Sequence, residues 1–159
     1  MVQIFLDCDG VLADFNSFFF QIFNQDPRVA ELSLGTAEFW RRIKNHGSFY
    51  RDLPLIPDAL ELYHGVRHLA PIILTGCPEG GWAESQKVEW ANEHFPGVKM
   101  ITCRSREKRR HMKPGDVLID DYIAYQDLWE DAGGVFILHT SARDSLDRLA
   151  AMSIDARRL

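Results

Sequence analysis

Two aspartates one residue apart, Asp7 and Asp9, follow the first apolar run of the chain at residues 2–6, and Gly10 then lets the backbone turn. Carboxylates this close repel each other unless a cation or a proton intervenes. Two later apolar runs also end in polar residues: one in Thr75 and Gly76, another in Asp120 and Asp121. Just before the second of these, residues 103–113 carry Arg104, Arg106, Lys108, Arg109, Arg110 and Lys113. Carboxylates offering only oxygen ligands suit Mg²⁺, which keeps waters and a substrate phosphate in its shell. A hydroxyl and a cation suit the remaining phosphoryl oxygens, so these residue types point to phosphoryl chemistry with an acid as nucleophile.

Such residues need a scaffold that brings distant segments to one edge. Five short apolar runs, at 2–6, 71–76, 98–102, 116–121 and 134–139, read as strands buried on both faces. Helical patterns separate them. Residues 58–69 place Leu60, Leu62, Val66 and Leu69 near helical spacing behind Pro57 and Asp58, and residues 84–95 carry Val88, Ala91 and Phe95. Residues 122–132 form a short helix, and Ser141 caps a helix to Met152 that buries Leu146, Leu149 and Ala150. Alternating strands and helices predict an α/β protein with a parallel sheet covered on both faces. Ligands of such sheets bind at the carboxyl ends of the strands, where the acids lie.

Residues 16–57 interrupt this alternation with no convincing buried strand and a dense set of aromatics that includes Phe18, Trp40, Phe49 and Tyr50. A small helical insertion is expected there, with helices at 18–23 and 37–45, above the sheet edge that holds Asp7 and Asp9. Residues 1–15 and 58–159 then form the core, and most of the aromatics form the insertion's own small core.

A chain of 159 residues, 46% hydrophobic, supports one substantial core. Its formal charge of −5 argues against a general binder of nucleic acid or anionic membrane. Three widely spaced cysteines without a CxxC pair suggest reduced thiols, and no apolar run approaches the roughly 20 residues that span a bilayer. With no signal-peptide pattern at the start, a cytoplasmic protein is expected. Strand alternation turns Cys8 away from its neighbours Asp7 and Asp9, as a packed thiol. His46, His64, His94, His111 and His139 lack metal-ligand spacing and read as structural or exposed.

The ordered set Asp7-Cys8-Asp9-Gly10-Val11-Leu12, Ile73-Leu74-Thr75-Gly76, Lys108 and Leu118-Ile119-Asp120-Asp121 resembles the four motifs of the haloacid dehalogenase (HAD) superfamily of phosphatases. Residues 49–59, with Lys87-Val88-Glu89-Trp90 and His94-Phe95, are similar to the 5′(3′)-deoxyribonucleotidase family within it. The resemblance implies a HAD-like core with a small helical cap, and a Mg²⁺-dependent 5′-nucleotidase of small phosphorylated substrates. Under it, Asp7 is the nucleophile and Asp9 the general acid and base. Mg²⁺ is bound by Asp7, the Asp9 carbonyl and the Asp120-Asp121 pair, Asp120 being favoured as the direct ligand. Thr75 and the Gly76 amide take one phosphoryl oxygen. Lys108 takes another, with Lys87, Lys99, Arg109, Arg110 and Lys113 as competitors for that role. Phe18, Trp40, Phe49 and Tyr50 are candidates to stack on a base.

Rival readings are a phosphatase of another small metabolite and an enzyme that trims phosphate from nucleic-acid ends through the basic run. From another class comes a phospho-accepting regulatory module, in which acids, a hydroxyl and a lysine also surround Mg²⁺. In receiver domains, however, the accepting Asp lies on a later strand, whereas here the DxD opens the chain.

Overall fold

The structure, a computed structural model, describes residues 1–155. Residues 156–159, assigned above to the core, lie outside the described residues. Each apolar run becomes one short strand: β1 (Ile4–Leu6), β2 (Ile72–Gly76), β3 (Met100–Cys103), β4 (Val117–Asp120) and β5 (Val135–Leu138). All neighbours pair in parallel, in the order β3-β2-β1-β4-β5. β1 is central, with Phe5 opposite Ile72 on one side and Leu118 on the other. The chain winds outward through β2 to β3 and then crosses back to β4, so the strand order reverses at β1, where α/β sheets hold ligands.

Strand alternation divides the side chains between two unequal faces. Ile4, Leu6, Ile73, Val117, Ile119 and Ile137 share one buried cluster with Leu62 and Val66 of α4 (Ala59–Val66), Trp90 and Ala91 of α5 (Glu84–His94), and Leu146 and Leu149 of α7 (Ala142–Ala151). On the opposite face Phe5, Leu74 and Leu118 close around Trp129 of α6 (Gln126–Asp131), whose ring meets Phe5 edge-on at 5.6 Å. Burying an apolar side chain of this size contributes roughly 1.5–3 kcal/mol, so even this thinner cluster holds α6 against the sheet.

Helix registers differ in detail from the sequence pattern. Leu60 and Val88 are largely exposed, and Ala150 is exposed, because the buried stripes run through Ala59, Leu62 and Val66, through Lys87, Trp90 and Ala91, and through Ala142, Leu146 and Leu149. The expected helix at 122–132 divides into a 3-10 turn, Ile123–Tyr125, and α6. Ser141 caps α7 as expected, accepting the Asp144 amide at 3.1 Å. Asp58, at the start of α4, instead accepts the Ala142 amide at 2.7 Å, so it secures the beginning of α7.

Between β1 and α4 lie three helices where two were expected: α1 (Phe15–Phe23), α2 (Pro27–Leu34) and α3 (Thr36–Asn45). Asp26 followed by Pro27 starts the extra helix, its carboxylate accepting the amides of Arg28 and Val29. The two ends of this segment are stitched together, Asp14 N–H donating to the Pro54 carbonyl and Ile56 N–H to the Leu12 carbonyl, both at 2.8 Å. Phe19, Phe39, Phe49 and Tyr50 pack on one another and run on into the cluster beneath the sheet. The aromatics therefore extend the main core instead of forming a separate one.

Candidate active site

The carboxyl ends of β1, β2 and β4 supply the acids and the threonine. Asp7 is still held in the sheet by its amide, which donates to Ile119 O at 2.9 Å, and the next residues wind into a single turn with Leu12 N–H on Cys8 O. That turn brings Asp9 back over the strand ends. Gly10 makes it at φ +86°, and a Cβ there would sit 2.0 Å from an Asp121 carboxylate oxygen, so no larger residue fits. Gly76 is constrained in the same way by the Ser105 hydroxyl.

Two buried lysines divide the acids between them. Lys108, on a 3-10 helix of residues Ser105–His111, donates to Asp7 Oδ1 at 2.8 Å and to Asp120 Oδ2 at 3.0 Å. Lys87, on α5 and 1% exposed, donates to Asp9 Oδ2 at 2.8 Å, Thr75 Oγ1 at 2.8 Å and Gly76 O at 2.9 Å. An ammonium has three donors, so Lys87 is saturated within the protein. Lys108 uses two donors on these acids and lines the cleft. Lys108 is thus placed for the role expected of it, while Lys87, expected only as a competitor for that role, has partners of its own in Asp9 and Thr75. A signal was available: Lys87 lies at i, i+3 and i+4 spacing with Trp90 and Ala91, one cation on an apolar stripe.

The environments push the paired carboxylates apart. Burial alone would raise Asp7, but the charge and hydrogen bond of Lys108 outweigh it and hold this carboxyl below its ordinary range. Burial dominates at Asp9 and raises it, despite Lys87. Its second oxygen, Oδ1, is buried with no hydrogen-bond partner. Burial and then the charge of Asp7 push Asp120 up to about 7. Displacement of water around its carboxyl, followed by the charges of Asp7 and Asp120, pushes Asp121 up to about 8, even though the residue is exposed at the rim. Each lysine would lose affinity for its proton on burial, but the facing acids reverse this and raise it.

Carboxylate oxygens of Asp7, Asp120 and Asp121 lie within 4.8 Å of one another. Hard oxygens in this number and spacing fit a small divalent cation, and binding one would offset both the burial and the mutual repulsion that raise Asp120 and Asp121. Tyr122 N–H orients Asp120 by donating to its Oδ1 at 2.9 Å.

Above these groups opens a cleft of about 890 Å³ that reaches from the acids to the three-helix segment. Trp40 and Tyr50 line it, together with Phe15 and Phe39. Phe18 and Phe49 do not: Phe49 is fully buried, and Phe18 packs on it at 5.1 Å between ring centres. Cys8, in the turn beyond β1, is buried as the packed thiol expected, and its thiol is pushed well up, first by burial. His139 is buried against the Ser145 hydroxyl, and His94 packs on Trp90.

Solved structures of low sequence identity share this architecture. A HAD-superfamily hydrolase from Ehrlichia chaffeensis is similar at 15% identity and a TM-score of 0.56, over 96% of this chain and 99% of that one. L-2-haloacid dehalogenase from Xanthobacter autotrophicus is similar at 14% identity and 0.55, over 98% and 85%. A hydrolase from Streptococcus pneumoniae TIGR4 is similar at 13% identity and 0.54, over 96% and 98%. The fold is thus that of the HAD hydrolases. A comparison with curated proteins finds no match. The family model described as 5′ nucleotidase, deoxy (Pyrimidine), cytosolic type C protein matches residues 1–145, and the chain belongs to that family. It is therefore a phosphatase of the 5′-nucleotidase kind, acting on a small phosphorylated substrate. Among the described residues, no helix is long and apolar enough to cross a membrane.

Proposed function

We propose that the protein hydrolyses nucleoside 5′-monophosphates through an aspartyl-phosphate on Asp7. The observation that carries this reading is the separation of two neighbouring carboxylates by two lysines, Asp7 held ionised by Lys108 and Asp9 raised in its buried position beside Lys87. Opposed environments of this kind assign a nucleophile and an acid. A carboxylate oxygen of Asp7 attacks phosphorus, the ester P–O bond breaks, and the leaving oxygen takes a proton from Asp9. Asp9, now ionised, draws a proton from water as that water attacks the phosphoryl-aspartate, releasing phosphate and restoring Asp7.

Lys87 pins Oδ2 of Asp9 and leaves Oδ1 to carry the proton. Thr75, the Gly76 amide and the remaining N–H of Lys108 hold phosphoryl oxygens. Mg²⁺ would be held by Asp7, the Asp9 carbonyl and Asp120, with Asp121 beside them. When bound, it supplies positive charge that offsets the carboxylates and the phosphoryl group. Residues 16–57 serve as a cap on a core of 1–15 and the described residues from 58 onward. Of the four aromatics, Trp40 and Tyr50 are placed to meet a base, and Trp40, half-buried at the cleft, is the better platform. Three free cysteines, two of them buried, support a place in the reducing cytoplasm.

Asp7→Asn is expected to lower turnover by about 10³-fold or more while circular dichroism stays unchanged. Retained Mg²⁺-dependent hydrolysis would overturn the nucleophile. A panel of nucleoside monophosphates and sugar phosphates, assayed with and without Mg²⁺, tests the substrate class, and equal low turnover across it would remove the nucleotide reading.

A further inference from the structure

The period of the segment that carries Lys108 sorts its charges. In a 3-10 helix, side chains at i and i+3 eclipse one another, so Ser105–His111 presents three columns. Ser105 and Lys108 occupy the first, Lys108 on the acids and Ser105 against Gly76. Glu107 and Arg110 occupy the second and neutralise each other, Arg110 Nε lying 2.5 Å from Glu107 Oε2. Arg106 and Arg109 occupy the third. Both line the cleft, and among the described residues neither forms an ion pair. Nearby Arg104, by contrast, reaches Glu79 at 3.5 Å.

Two like charges stacked in one column repel, and an anion lodged between them removes that cost. Guanidinium groups match phosphate oxygens in a fork geometry, and a rise of about 2 Å per residue sets the two arginines about 6 Å apart along the helix, within reach of one phosphate. The phosphoryl group undergoing cleavage already has Thr75, Gly76 and Lys108. An acidic chain with a cleft of about 890 Å³ also favours a small polyanion over a nucleic-acid strand.

Resting on the nucleotidase reading, we propose that the preferred substrate is a nucleoside bisphosphate, with one phosphoryl group cleaved at Asp7 and the other held by Arg106 and Arg109. Water is consumed and one P–O ester bond breaks. The products are a nucleoside monophosphate and inorganic phosphate.

The test compares kcat/KM for a deoxynucleoside 5′-monophosphate, the corresponding 3′,5′-bisphosphate and a 5′-phosphorylated trinucleotide, on the wild type and on Arg106→Gln/Arg109→Gln. The bisphosphate is expected to exceed the monophosphate by about tenfold, with the ratio collapsing toward one in the double variant. In the wild type the same ratio should shrink with added salt, a readout that does not depend on the variant folding. A wild-type ratio of one, or a ratio that the substitutions leave in place, would overturn the proposal. So would a trinucleotide better than the bisphosphate, which would assign the arginines to a polymer end. Failure of the underlying reading looks different, with both nucleotides inert and a sugar phosphate turned over.

Discussion

The floor of the cleft and its roof are built by opposite means. On the floor, short strands end in charged groups held by two lysines: Lys87 spends all three donors inside the protein, and Lys108 bridges two acids. Over the roof, rings pack on rings, with Phe49 meeting Phe15 at 5.2 Å and Tyr50 at 5.7 Å, while the half-buried Trp40 faces the cleft. The floor is built as a reaction requires, since reacting groups must be held within tenths of an ångström. The roof can change its lining at the cleft while its buried rings keep their place. Helix α5 joins the two, sending Lys87 into the floor while Gln86 accepts the Tyr50 amide and the Trp90 indole donates to Leu53 O at 2.8 Å.

After the loss expected of Asp7→Asn, the sharpest way to break the floor is Lys87→Met. It leaves the Asp9 carboxylate, the Thr75 hydroxyl and the Gly76 carbonyl without their donor. Removing one partner of a buried pair costs about 3–5 kcal/mol, which urea unfolding would report. Turnover should fall by about 10²-fold, and the kcat–pH profile should move upward as the burial of Asp9 goes unopposed. An unchanged profile would reduce Lys87 to a packing residue.

Phe49→Ala tests whether the roof is core or contact. Emptying the site of a fully buried ring costs about 3–5 kcal/mol of stability, yet KM measured well below the melting temperature should hardly move. A large rise in KM at full folding would return Phe49 to the list of substrate contacts.

The floor's acids set a pH dependence that the roof lacks. Asp120 and Asp121 keep their protons to about 7 and about 8, against 3.8 ordinarily. Between about pH 4 and about pH 8 these two carboxyls therefore hold more protons in the folded chain than in the unfolded one, and their contribution to stability falls as pH rises. His139, whose imidazole is held below its usual range by burial, makes a smaller contribution of the opposite sign. Without divalent cation the melting temperature should drop by roughly several degrees from about pH 5 to about pH 8. Mg²⁺ should raise it more at the higher pH, where it no longer competes with protons. A flat profile would mean that burial and the neighbouring charges do not raise these carboxyls. The smallest effect belongs to Trp40→Ala, with KM rising about tenfold from lost stacking and kcat changing by less than about twofold.

Much of the floor was legible in the chain itself. Asp7, Asp9, Thr75 and Asp120 stand where buried apolar runs end, and one-dimensional order suffices to find them because a parallel sheet brings successive strand ends to one edge. That Cys8 is a packed thiol was equally readable, and it is buried, although it lies in the turn beyond β1 and not on the strand itself. What the order of residues could not decide was which cation meets which acid. Lys87 and Lys108 are both lysines near helical turns, and only helix register and crossover geometry carry their ammonium groups to Asp9 and to Asp7. In the same way Phe18, Trp40, Phe49 and Tyr50 are equivalent as aromatic residues, yet close packing seals Phe49 away and turns Trp40 to the cleft. The sequence alone placed the acids and the threonine at the strand ends, because that placement follows from local chain chemistry. The tertiary structure decided their partners and the lining above them, because both depend on distances between segments far apart in the chain.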